Sequence, residues 1–183
     1  SAKLIAGAGG IFFTGGDQLR LTSLLGGTRV HQALLAVLPR GVAIAGTSAG
    51  ASAMSSTMIV GGLDEVEPQK RAVSLAAGLG LMPEAVVDQH FAQRGRIGRL
   101  LVAVAQSPHL LGIGIDEDTA LCVEEDRVRV VGSGAVTIID GRGLDYVNIS
   151  ELAPDEPLAL TDICLHILPP GFKFDLAARR PIF

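Results

Sequence analysis

Residues Ile44-Ala-Gly-Thr-Ser-Ala-Gly-Ala-Ser52 join an apolar strand, a Gly-x-Ser-x-Gly turn and a run of small helix-compatible residues without a break. Few local structures accept that order. It fits a nucleophile elbow, a sharp strand-to-helix turn that lifts one serine hydroxyl above a sheet. Gly46 and Gly50 let the backbone crowd the bend, where a Cβ would clash. Ser48 then stands near the start of the next helix, where free N–H groups and the helix dipole favour a developing oxyanion. A plain tight βα turn uses similar residues, so the rest of the chain has to decide.

The apolar runs predict an α/β chain. Ile11-Phe12-Phe13 reads as a short buried strand closed by Thr14-Gly15-Gly16. Leu19 to Leu25 and Val30 to Leu38 read as helices separated by Gly26-Gly27, and Val42 to Ala45 as the strand entering the elbow. Val60 to Lys70, with Gly, Pro and mixed charges, reads as a surface loop whose Asp64, Glu65 and Glu67 are acidic. Ala85 to Val87 is a further strand, ending at Asp88-Gln89-His90. In Gly95 to Gln106, Ile97, Leu100, Leu101 and Val104 recur at helix spacing. Strands are then expected over 111–115, 119–123, 127–131, 135–139 and 163–168. Strands alternating with helices imply a mostly parallel sheet covered on both faces, and the later hairpins an antiparallel extension of it.

Ligands of such sheets bind at the carboxyl ends of the strands. Four clusters fall there: Thr14 to Gln18, Gly46 to Ser48, Asp88 to His90 and Asp116 to Asp118. A serine nucleophile needs a base within reach, and the base a partner that sets its tautomer. Of the four histidines, His90 alone ends a strand; His31 lies mid-helix, His109 follows a proline and His166 sits in a late strand. Asp116, Glu117 and Asp118 are the candidate orienting acids. Strand alternation puts Asp116 and Asp118 on one face and Glu117 on the other, without choosing between them. An N–H of Gly15 or Gly16 could join that of Ala49 in an oxyanion hole. The order Ser, His, acid differs from the Ser, acid, His order of α/β-hydrolases.

Four blocks together resemble the cyanophycinase family of serine peptidases, relatives of aspartyl dipeptidase (peptidase E). They are Phe12-Phe-Thr-Gly-Gly-Asp-Gln18, Gly46-Thr-Ser-Ala-Gly-Ala-Ser52, Asp88-Gln-His-Phe-Ala-Gln-Arg-Gly-Arg-Ile-Gly-Arg99 and Gly114-Ile-Asp-Glu-Asp-Thr119. The long Asp88 block is much more specific than the serine motif. The resemblance implies Ser48 as nucleophile, His90 as general base and Glu117 as third member. It implies Gln18, Asp88, Gln89, Arg94, Arg96 and Arg99 as lining for the substrate. It further implies a three-layer αβα fold of the class I glutamine amidotransferase type, a homodimer, and no metal or cofactor. The implied substrate is cyanophycin, a polyaspartate carrying arginine on its β-carboxyls, cut to β-Asp-Arg dipeptides through an acyl-enzyme. A dipeptidase acting on Asp-X or isoaspartyl dipeptides is the nearest alternative, and a non-catalytic binding relative a more distant one.

That substrate offers guanidiniums and carboxylates, and the chain has matching groups. Arg96 and Arg99, three apart, share a helical face with Arg94 at its start, and a forked guanidinium takes a carboxylate bidentately. Asp17 and Asp88 are the acids able to grip an arginine, although Asp88 could instead brace Arg or Gln side chains. The net charge of −4 and the lack of a basic, aromatic-laced stripe argue against a nucleic-acid partner. No apolar run reaches the roughly 18 residues a membrane span needs. A cytoplasmic location is expected, with export left open. Cys122 and Cys164 lie in apolar strand-like runs and are expected as buried free thiols. The 183 residues suit one catalytic domain. Family members usually carry several tens of residues before the Phe-Phe-Thr-Gly-Gly block, so the first strand and helices of the fold are expected to be missing.

Overall fold

The computed structural model describes residues 1–61, 68–70 and 73–183. The acidic Asp64, Glu65 and Glu67 lie outside the described residues. The chain is a mixed α/β structure whose elements occur in two stretches.

In the first stretch α1 (Ala2–Ala6) precedes β1 (Gly10–Phe13), α2 (Gln18–Leu25) and α3 (Arg29–Val37). Both longer helices start on side-chain caps: Asp17 accepts from the Arg20 N–H, and Thr28 from the His31 N–H. Leu38–Arg40 adds a 3₁₀ turn, and β2 (Ala43–Gly46) pairs in parallel with β1, Phe13 opposite Gly46. One face of that pair, Ile11, Phe13 and Ile44, packs with Leu21, Leu25, Val30 and Leu34 of the helices. The short α4 (Ala49–Ser52) follows the elbow, and β3 (Thr57–Gly61) forms an antiparallel pair with β4 (Ser74–Ala77). The stretch expected to begin a loop at Val60 therefore closes a strand. The Thr-Met-Ile-Val run of β3 has the β-branched character that favours one.

The second stretch is built on a four-stranded sheet in the order β10-β9-β6-β5. Its strands are β5 (Ala85–Gln89), β6 (Leu111–Ile115), β9 (Val136–Asp140) and β10 (Cys164–Leu168). β5 and β6 run parallel, connected through a 3₁₀ turn (Ala92–Arg94) and α5 (Ile97–Gln106); β9 and β10 add antiparallel. That much follows the expected antiparallel extension. The remaining hairpin does not join it. β7 (Thr119–Glu124) and β8 (Arg127–Gly132) associate with β11 (Lys173–Asp175) and β12 (Arg180–Ile182) in a second four-stranded sheet. Among the described residues, parallel ladders are confined to β1–β2 and β5–β6.

Alternation along the central strands explains the layering. Leu111, Ile113, Val136 and Ile138 point to one side, against Val128, Val130 and Phe174 of the second sheet. Val86 and Ile139 point to the other, against Leu100, Val102 and Val104. Each of these fully buried aliphatic side chains contributes about 2 kcal/mol of transfer free energy. The cysteines depart from expectation: Cys122 is half-buried and Cys164, on the edge strand β10, is exposed; both are free thiols.

Candidate active site

The elbow is held by close backbone packing. A Cβ on Gly46 would lie 2.5 Å from the Gly50 carbonyl, and one on Gly50 would overlap the carbonyl of Phe13 in β1. The Thr47 N–H donates to Phe13 O at 3.0 Å, and the Gly50 N–H to Thr47 O at 2.9 Å. Between these ties Ser48 takes φ +51° and ψ −119°, a conformation that side-chain-bearing residues rarely adopt. Strain of this kind costs about 1–3 kcal/mol and persists only where the surroundings over-determine it. Ser52, one turn on, is buried and ties α4 to β5 by donating to Val87 O at 3.1 Å.

His90 arrives from the carboxyl end of β5, itself at φ +51°. Its Nε2 lies 3.0 Å from Ser48 Oγ and its Nδ1 2.7 Å from Glu117 Oε1. Glu117 sits in the turn between β6 and β7, so three distant segments meet. With Nδ1–H donating to the carboxylate, Nε2 is left as an acceptor for the serine hydroxyl. Of the three candidate acids, Glu117 makes this contact. Asp116 instead accepts the backbone N–H groups of Ala92 and Ala135, each at 3.0 Å, and Asp118 accepts the Ser133 hydroxyl at 2.7 Å.

A cavity of about 280 Å³ opens beside the serine, lined in part by Gly16, Gln18, Ala49, Gln89, Arg94, Arg96 and Arg99. Ile59 to Gly61 of β3 form the rest of its wall, a strand that the adjoining polar stretch masks in the sequence. Gln18 is fastened to this wall, Nε2 donating to Ile59 O at 2.8 Å. Gly15 also stands against the elbow: a Cβ on it would lie 3.6 Å from Ser48 Cβ. As the first residue of α4, Ala49 has an N–H with no intrahelical acceptor.

The charged floor of the cavity is organised from below. Asp88 is 1% exposed. Its Oδ2 accepts Arg99 Nε at 2.6 Å, and its Oδ1 takes the Arg99 Nη2 as well as the Gln89 N–H at 2.9 Å. Arg96 Nη1 lies 3.5 Å from the same Oδ1 and donates at 2.6 Å to both Gln89 O and Gln89 Oε1. The Gln89 amide completes the set, Nε2 donating to Ser52 Oγ at 3.2 Å. Asp88 thus braces the arginines, one of its two anticipated uses. Arg96 and Arg99 are buried through this pairing and do not stand on a solvated helical face. Asp17, the other acid considered for gripping an arginine, spends its carboxylate on capping α2. Arg94, in the 3₁₀ turn, is exposed at the cavity's edge.

Comparison with known proteins shows the family of the chain. The model of peptidase family S51 matches residues 2–131. The chain belongs to peptidase family S51. Among curated relatives, the cyanophycinase of Geminocystis herdmanii is 44% identical over 174 residues, 94% of this chain and 64% of its own. That of Trichormus variabilis is 46% identical over 172 residues, covering 93% of this chain and 58% of its own. The chain thus spans roughly three fifths of the length of these relatives. A crystal structure of a peptidase from an acI-B1 Actinobacterium superposes with a TM-score of 0.59 at 24% identity, covering 90% of this chain and 62% of that one, which supports a shared fold. Ser48, His90 and Glu117 of this S51 chain all lie inside the matched segment, whereas β9 to β12 fall beyond it.

Proposed function

We propose that the chain carries the catalytic centre of a serine exopeptidase that hydrolyses cyanophycin to β-Asp-Arg dipeptides. The observation that carries the proposal is the chain of contacts Ser48 Oγ to His90 Nε2 and His90 Nδ1 to Glu117 Oε1. His90 takes the Ser48 proton as Oγ attacks the polymer's backbone carbonyl, and Glu117 stabilises the imidazolium. The N–H groups of Ala49 and of Gly15 or Gly16 hold the tetrahedral oxyanion. His90 returns the proton to the departing amine, the terminal dipeptide leaves, and an ester on Ser48 remains. Water, deprotonated by the same imidazole, then releases the shortened polymer.

The cavity supports the substrate assignment. Its volume of about 280 Å³ suits one repeat unit better than a long peptide segment. Arg94, Arg96 and Arg99 are the cationic groups for substrate carboxylates, with Asp88 and Gln89 holding two of them in place. Gln18 offers its Oε1, the amide nitrogen being engaged by β3. The curated relatives compared above are cyanophycinases, which favours the same substrate. We further read residues 1–183 as one catalytic domain of the three-layer, glutamine amidotransferase-like type. The elbow after a parallel strand and α5 packed on the central sheet support that reading. A homodimer and a cytoplasmic location belong to the same proposal; among the described residues no helix is long and apolar enough to cross a membrane.

The test is hydrolysis of purified cyanophycin by the wild type and by Ser48→Ala. The variant is expected to lose about four orders of magnitude or more in kcat. Near-wild-type turnover by Ser48→Ala would remove the serine mechanism. A wild type that prefers Asp-X or isoaspartyl dipeptides over the polymer would redirect the substrate assignment.

A further inference from the structure

We propose that Gln93 and Asp116 are positioning residues for the Glu117–His90 contact, an inference that rests on the serine-peptidase reading above. Glu117 presents a problem of preorganisation. Its side chain is 55% exposed and that of His90 28% exposed. A hydrogen bond to a largely exposed carboxylate is weak, and a glutamate has many rotamers to lose, so the pair by itself does little to hold its own geometry. The alignment must come from the two backbone turns that carry the side chains.

Those turns are stitched together in both directions. From the Glu117 turn, the Asp116 carboxylate reaches across to accept the Ala92 N–H at 3.0 Å, in the 3₁₀ turn immediately after His90. From the His90 turn, the Gln93 side-chain Oε1 reaches back to accept the N–H of Glu117 itself at 3.1 Å. The Phe91 N–H adds a backbone tie to Ile115 O at 3.2 Å. Asp116 is in turn anchored behind: its N–H donates to Ala135 O at 3.2 Å, and its Oδ2 accepts the Ala135 N–H at 3.0 Å. The far side of the Glu117 turn is closed by Thr119 Oγ1 donating to Glu117 O at 3.0 Å. The result is a frame with Glu117 and His90 on facing members. Gln93 is the member that touches the Glu117 backbone while being exposed itself, so removing it disturbs the alignment without opening the core.

The roles divide accordingly. Asp116 fixes the distance between the turns, and Gln93 fixes the orientation of the Glu117 peptide plane, from which its carboxylate is aimed at Nδ1. Neither residue touches the Ser48 hydroxyl, so neither is catalytic.

The experiment is a double-mutant cycle between Gln93→Ala and Glu117→Ala, with Gln93→Glu as the conservative variant, measured on cyanophycin hydrolysis. Gln93→Ala in the wild-type background is expected to lower kcat about tenfold with KM unchanged, because the alignment matters in the transition state and not in polymer binding. Gln93→Glu, which keeps an oxygen acceptor for the Glu117 N–H, is expected to recover most of that loss. In the Glu117→Ala background, Gln93→Ala should have no further effect, since nothing remains to be aimed. Labelling of Ser48 by a fluorophosphonate should slow in parallel with kcat. Equal factors in both backgrounds, or a change in KM alone, would overturn the inference while leaving the peptidase reading intact. A wild type unable to hydrolyse cyanophycin or to be labelled at Ser48 would instead remove the reading on which the inference rests.

Discussion

Asp88→Asn is the most informative single substitution in this chain, because it is nearly isosteric and changes only charge and hydrogen-bonding sense. The carboxylate is buried, chelated by Arg99 through Nε and Nη2, and within 3.5 Å of Arg96. Both guanidiniums are themselves only 7% exposed at the side chain. An asparagine can keep one acceptor, but its NH₂ group then confronts a guanidinium N–H, donor against donor. Two buried cations would also lose their nearest anion. Breaking one member of a buried ionic set costs about 3–5 kcal/mol, since the partners remain desolvated without compensation. For a chain of this size each kcal/mol lowers Tm by about 2–4 °C, so the expected fall is about 6–20 °C. Urea titration should show the lower midpoint with the slope m unchanged, because the surface exposed on unfolding is the same. Kinetics supply the second arm: displacement of Arg96 and Arg99 should raise KM for the polymer. If Asp88→Asn shifted Tm by less than about 2 °C while KM rose, Asp88 would be a direct substrate contact and the bracing argument would be refuted.

Gly50→Ala should be far worse than its helix propensity suggests: the added methyl meets the Phe13 carbonyl, which is main chain and cannot swing aside. The expected outcome is loss of fluorophosphonate labelling at Ser48, together with a destabilisation beyond the ~1 kcal/mol scale of helix propensities in urea titration. Asp140 supplies the pH dependence. Burial alone would raise its pKa, but hydrogen bonds from the Arg142 N–H, the Arg142 guanidinium and the Arg179 guanidinium, with the charge of Arg179, hold it below the ordinary aspartate range. Its contribution to stability is therefore present above about pH 4 and lost as the pH falls through the lowered value. The stability gap between wild type and Asp140→Asn, read from urea midpoints, should be wide at pH 7 and narrow progressively below pH 4; a gap independent of pH would contradict the sign.

What was legible in the sequence was local and apolar. The strands at Ile11, Ile44, Val86, Ile113 and Ile138 and the helix around Leu100 follow from runs and spacings whose physics is contained within a few residues. β3 is not legible because it adjoins a polar stretch, nor are β11 and β12, whose three residues carry too little pattern to stand out. The misjudged burial of Cys164 has a different origin. An apolar strand reads the same at the edge of a sheet as at its centre, and only the pairing order reveals that β10 has one neighbour. For the site, strand alternation did not apply to Asp116, Glu117 and Asp118, because β6 ends at Ile115 and the three acids occupy the turn before β7, whose geometry alone brings Glu117 to His90. Arg96 and Arg99 show the same limit: their spacing joins them to one face, whereas their burial depends on Asp88, eleven residues before Arg99 and in another element.

The strained residues show why the site occupies this position in the fold. Ser48 and His90 both hold φ near +51°, each at the carboxyl end of a strand from a parallel pair. Together they store on the order of 2–6 kcal/mol, a sizeable part of the 5–15 kcal/mol by which domains are usually stable. A flexible loop would release such strain by relaxing. Here the chain enters each turn from a strand fixed by its ladder and leaves into a segment tied back at once: Gly50 to Thr47 after the serine, and Arg94 to His90 O after the histidine. The two turns are then coupled by Ser52 donating to Val87 O and Gln89 donating to Ser52 Oγ. The 3.0 Å separation of hydroxyl and imidazole is therefore a property of the sheet ends and their hydroxyl bridge. The side chains that meet there are aimed by backbone, and that is why the residues holding the backbone matter as much as those that react.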